Sequence, residues 1–157
     1  MNKRLRIFER IARVSGTLSN KSEGLEIASH PFDERNIHPD ITVVCIKLFD
    51  DGHYSQATFE AFKYIDLKVK ALSSINESGF NLMMNAFSEK NPKIKLTNLS
   101  TQSEIDEQLG YKFIFSGAMS GIINPRGHEI NIDPIERCLD HLSLASVLLR
   151  RLEDAVP

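Results

Sequence analysis

A chain of 157 residues, 41% hydrophobic and 25% charged, is long enough for one domain to bury a core without metal or disulfide. Its 19 basic and 21 acidic residues leave a net charge of −2, which excludes a global pull toward nucleic acid or membrane and makes any RNA contact a local one. No run of about 18 apolar residues offers a membrane span, and Met1 leads into a basic amphipathic segment rather than a secretory apolar core, so the expected location is the cytoplasm.

Residues 3–15 carry Ile7, Phe8, Ile11 and Val14 on one side and end near Gly16, which predicts a first helix. Lys3, Arg4, Arg6, Arg10 and Arg13 face only Glu9 there, a basic patch read as a solvated helix face. From Ser15 to Asn36 no period emerges, so residues 1–36 read as an N-terminal helix and connecting arm, and 37–157 as the helical domain. Ile41, Val44, Cys45, Leu48 and Phe49 repeat at helical spacing between Pro39 and Gly52, predicting a second helix. After Asp50-Asp51-Gly52, Ala57, Ala61, Ile65, Val69 and Leu72 mark a long third helix, widened by Phe59 and Phe62, that pairs with the second as an antiparallel hairpin. A fourth, shorter helix carries Phe80, Met83, Met84 and Phe87.

Residues 88–100, with Lys90, Lys93 and Lys95, read as a surface loop. Thr101 and Glu104 have the spacing of a capping box, and the helix they open carries Ile105, Leu109, Phe113, Phe115, Ala118, Met119 and Ile122, with Gly110 marking a bend or a close crossing. Gly121 to His128 read as a polar loop. Asp133 as N-cap, Pro134 as first helical residue and Glu136 at the third position announce the last helix, whose buried stripe runs from Ile135 and Cys138 to Leu152. Cys45 and Cys138 lie in apolar stripes without CxxC or Cys/His ligand spacing, as small buried hydrophobes in a reducing compartment do. With no sustained strand alternation and no repeat, the economical fold is an all-α bundle of five or six helices.

The sequence contains no GxGxxG, phosphate-loop lysine, GxSxG or HExxH motif, and neither a metal nor a cofactor is expected. His30 and His38 fall in the arm or at a helix start; His53 reads as a helix-end residue, and His141 lies toward the exposed edge of the last helix. His128 is set differently. Asn124-Pro125 suits an N-cap and first helical residue, which would aim amides at an anion such as phosphate, and a histidine four residues on would stand beside it. Imidazole, with an ordinary pKa of about 6.5, can take a proton from a ribose 2′-hydroxyl and return one to the leaving oxygen. The same residues are also common in turns that join helices.

Ile37-His38-Pro39, Leu48-Phe49-Asp50-Asp51-Gly52-His53-Tyr54, Glu60-Ala61-Phe62, Leu82-Met83, Ala86-Phe87, Gly117-Ala118 and Asn124-Pro125 with His128 form an ordered series of segments. The series resembles the Ymh-type family of bacterial and archaeal proteins over roughly residues 37 to 155. That family is in turn similar to the HEPN superfamily of all-α domains that typically dimerise and often act as metal-independent ribonucleases in toxin–antitoxin and antiviral systems. The resemblance implies a HEPN-like bundle with Asn124 and His128 as catalytic residues at a dimer seam. The arginine of the HEPN signature falls on Ile123, and losing such a preorganised donor typically costs about 2.7–4 kcal/mol. Arg126 is the nearby candidate for substrate binding in its place. Two functions compete: a dimeric endoribonuclease or a variant of one, acting on RNA with an antitoxin or defence partner, and a catalytically silent RNA- or protein-binding dimerisation module. A structural helical subunit is the third reading.

Overall fold

A computed structural model describes residues 29–128 and 133–155. The chain divides into two compact units, residues 1–31 and 32–157. The helix expected at 3–15 and the arm up to residue 28 lie outside the described residues. Among the described residues the regular elements are all helical: α1 (Pro31–Glu34), α2 (Pro39–Asp50), α3 (Tyr54–Ser73), α4 (Gly79–Ala86), α5 (Gln102–Ala118), a π-helical segment (Met119–Ile123), α6 (Asn124–His128) and α7 (Ile135–Glu153). The protein is an all-α bundle, and no described helix is long and apolar enough to cross a membrane.

One turn of helix, α1, falls in the stretch read as arm. Its buried Phe32 meets Phe49 at 4.8 Å between ring centroids, a tertiary contact with no local period to announce it. Pro39 opens α2 at a position where its missing N–H costs nothing, and His38 caps it by accepting the Asp40 N–H on Nδ1 at 3.1 Å. Gly52, at φ 81°, turns the chain into α3. The two helices run antiparallel, because Cys45 Sγ donates to Ala57 O at 3.1 Å while Tyr64 donates its hydroxyl proton to Asp40 at 2.6 Å near the other end.

The buried line of α3 runs through Ala57, Ala61, Ile65 and Val69 in steps of four and reaches Ser73 rather than Leu72, which is 57% exposed. Gly79, at φ 65°, opens α4 by donating its N–H to Asp66 of α3 at 2.6 Å. Leu82, Met83, Ala86 and Phe87 are buried there, whereas Phe80 faces outward.

Residues 88–100 form a loop, yet one tied down from beneath. The Gln108 side chain accepts from Leu96 N at 2.8 Å and donates to Phe87 O and Ile94 O at 3.1 and 3.0 Å. α5 opens with the expected capping box, Thr101 Oγ1 accepting from Glu104 N and Glu104 from Thr101 N. A Cβ at Gly110 would meet nothing within 4 Å, so no close crossing inside the described chain calls for that glycine. α7 begins at Ile135 with Pro134 as its cap, and the Asp133 carboxylate, expected to cap it, is engaged by Arg126 instead.

Candidate functional site

Residues 121–128 are helical throughout, not a loop. α5 passes into the π segment and that into α6, with Asn124 at φ −58° and ψ −47° donating its N–H to Met119 O, five residues back. Pro125 supplies the reason. It has no N–H for the Gly121 carbonyl, and its ring would strike that carbonyl in a regular α-helix, so the preceding turn winds wider. No new helix starts at Asn124, which replaces the expected N-cap with a continuous helical run. Single π turns of this kind are frequent at functional sites.

Asn124 is exposed. Position 128 lies four residues on, one helical turn along the same face of α6, and the His128 side chain lies outside the described residues. Arg126, expected to contact substrate, is buried to 6% exposure of its side chain. Its Nε and Nη2 donate to the two Asp133 oxygens at 2.6 and 2.7 Å, and Nη1 donates to Ile122 O, a carbonyl of the π turn, at 2.6 Å. Asp133 N donates to Ser55 Oγ on α3 at 2.8 Å. Arg126 thus fastens α6 to the start of α7.

Burial alone would raise the Asp133 carboxyl, but hydrogen bonds and charge from Arg126 outweigh it and hold the group below its ordinary range. His141, whose Nδ1 is 3.3 Å from Arg126 Nη2, is pushed the other way from a paired histidine: burial first, then the Arg126 charge, lowers its pKa. The arrangement suits a neutral imidazole that accepts on Nδ1 and carries its proton on Nε2. Neither partner of Arg126 was legible in the sequence, because seven and fifteen residues separate them from it across a break between helices.

A cleft of about 360 Å³ opens in front of α6. α3 lines it with Phe59, Lys63 and Asp66, which share a helix face at i, i+4 and i+7; Ser78 and Gly79 line it from the start of α4, and Ile123, Asn124 and Gly127 from the π turn and α6. A Cβ at Gly127 would lie 3.3 Å from Phe59 Cε2, so glycine lets the ring close the cleft on that side. Lys63 is half exposed, 3.6 Å from Glu60, with its ammonium 5.8 Å from the centre of the Phe59 ring. Ile123 is partly buried and packs against the core. The i, i+4, i+7 spacing of Phe59, Lys63 and Asp66 is legible in the sequence, but no local signal marks Lys63 as facing a cleft.

A second polar group ties α2, α3 and α7. His38 Nε2 is 3.0 Å from Glu153 Oε2, Asp40 accepts from Tyr64, and Lys68 Nζ is 3.7 Å from Asp40. The hydrogen bond from Tyr64 lowers the Asp40 pKa. The ligand atoms of His38, Asp40 and Glu153 fall within 4.8 Å of one another, a spacing that a metal could use. Each is engaged by a proton instead: Nδ1 takes the Asp40 N–H, so Nε2 carries hydrogen toward Glu153, and Asp40 faces both a hydroxyl and an ammonium.

An all-helical bundle with one π turn beside an open cleft is the class these observations define. A sequence model of the Hypoth_Ymh family, described as a protein of unknown function, matches residues 35–152, and the chain belongs to that family. No curated protein and no solved structure matches it.

Proposed function

We propose that this chain is a HEPN-like homodimer of a toxin or antiviral defence system that acts on RNA in the cytoplasm, with Asn124 holding a phosphate and His128 moving the proton. The observation that carries the reading is the exposed Asn124, one helical turn before His128, at the edge of a cleft that also holds a cation, Lys63. In the reaction, His128 takes the 2′-hydroxyl proton, the freed oxygen attacks the adjacent phosphorus, and the 5′-oxygen leaves with a proton returned by imidazole, giving a 2′,3′-cyclic phosphate and a 5′-hydroxyl. The nucleophile comes from the substrate, so the step uses no metal.

The outward face of α5 supports a second copy as partner. Phe113 and Ile114 are 55% and 46% exposed on it, and Cβ atoms at Gly110 and Gly117 would meet nothing, leaving a surface on which a like helix can approach closely. A solution mass of twice 17.8 kDa is expected.

The test is incubation with total RNA and tRNA in EDTA beside His128→Ala. Cleavage by the unmodified chain alone is expected, with cyclic phosphate ends; equal cleavage by both, or none by either, removes the enzyme reading. A silent RNA- or protein-binding module is the second reading, favoured by Ile123 packing against the core and by Arg126 being held by Asp133. Ile123→Arg separates them, since a gain of cleavage absent from the unmodified chain marks a silent scaffold.

A further inference from the structure

We infer that the cleft between α3 and α6 is a phosphate subsite in which Lys63 provides the charge that Ile123 does not, an assignment that rests on the RNA reading of the Asn124–His128 segment. Lys63 and Asn124 line the same cleft, so a phosphate lodged there meets an ammonium from one wall and an amide donor from the other. Its size, about 360 Å³, suits a single nucleotide-sized group.

Availability separates Lys63 from Arg126, Lys112 and Arg151, and its place in the cleft separates it from the exposed lysines elsewhere. Arg126 is bound by both oxygens of buried Asp133, Lys112 is 2.6 Å from Glu89 with its side chain 9% exposed, and Arg151 is 2.8 Å from Glu107. Among the described residues Lys63 pairs with Glu60 at 3.6 Å on its own helix surface and lies over the Phe59 ring, its side chain 51% exposed, and an incoming anion replaces the Glu60 contact at little cost. The carboxylate that lines the cleft, Asp66, is buried and accepts the Gly79 N–H at 2.6 Å, so Lys63 is the cation that offsets its charge there. Ser78, exposed at the rim, makes no side-chain cap to α4 and so keeps its hydroxyl for a phosphate oxygen. An ammonium is a point charge without the planar fork of a guanidinium. Lys63 therefore neutralises a phosphate without aligning it, so phosphate binding is expected with isoleucine at position 123.

The experiment is an amide NMR titration of the full chain with inorganic phosphate and, separately, a short single-stranded oligoribonucleotide. Shifts at Gly79, Asn124 and Gly127 are expected, with affinity falling about tenfold in Lys63→Ala and retained in Lys63→Arg. The log–log salt slope of oligoribonucleotide binding should fall by about 0.7 in Lys63→Ala. Shifts from inorganic phosphate alone support the subsite and rule out RNA as its source. Unchanged affinity in Lys63→Ala, or shifts confined to other surfaces, overturns the assignment, and an unaltered circular dichroism spectrum shows that the variant is folded. If His128→Ala leaves RNA cleavage unchanged while the Lys63 effect persists, the nuclease reading falls and the subsite stands.

Discussion

Arg126 and Asp133 are an ion pair in which both side chains are nearly out of solvent, at 6% and 2% exposure. Such a pair persists only because each charge keeps its hydrogen bonds, and removing one member strands the other. Asp133→Ala should therefore cost about 3–5 kcal/mol in urea unfolding, whereas the double change Arg126→Met with Asp133→Leu should recover most of that loss. A double variant no more stable than the single one would mean that the pair does more than satisfy itself. The neighbouring His141 sets a pH dependence. Its folded pKa lies below 6.5, so between those two values the unfolded chain binds a proton that the folded chain refuses. Stability should fall as pH drops below about 6.5 and level off under the folded value. Asp133 acts lower: its folded pKa is below 3.8, so its stabilisation is complete above that value and is lost as pH falls through the folded one. Unfolding free energies of His141→Gln at pH 7.5 and 5.5 should differ less than those of the unmodified chain.

At the scale of elements, the connection from α4 to α5 is held by one buried amide. Gln108 satisfies three backbone groups of residues 87–96 and keeps Ile94 and Leu96 turned inward. Gln108→Leu is close in volume but leaves those groups without partners, at about 1–3 kcal/mol for each that water does not reach. Trypsin should then cut the folded variant at Lys90, Lys93 or Lys95 faster than the unmodified chain, and equal rates would show that the loop is held by other contacts. The sequence announced the starts of α5 and α2 well, because a capping box and a proline at the first helical position are local spacings. It could not announce Gln108, whose partners lie 12 to 21 residues away. The same limit explains the candidate site. Asn124 and His128 were visible as a pair, while the π turn that carries them arises from a proline's effect on the preceding turn, and the Lys63 wall comes from a helix sixty residues earlier. Asp133 looked like a helix cap by position and is instead claimed by Arg126, a choice that only tertiary packing makes.

Across the whole molecule, α3 is the centre: its buried line meets α2 at Cys45, its Asp66 anchors the start of α4, and its Ser55 receives the chain entering α7. With those junctions on one helix, the unit from residue 32 onward should unfold in a single step rather than shed α2 or α7 first. The two cysteines report on this. Burial, helped by Cys138 and Glu60, pushes the Cys45 thiol up to about 12, and burial likewise raises Cys138 to about 11. At pH 7.5 fewer than about one thiol in a thousand is then the reactive thiolate, and both are shielded by helices besides. Iodoacetamide should leave the native chain unmodified, and labelling of both cysteines in rising urea should track the loss of helical circular dichroism along one curve. Because Cys45 lies on α2 and Cys138 on α7, labelling of either one ahead of that curve would identify the helix that detaches from α3 first.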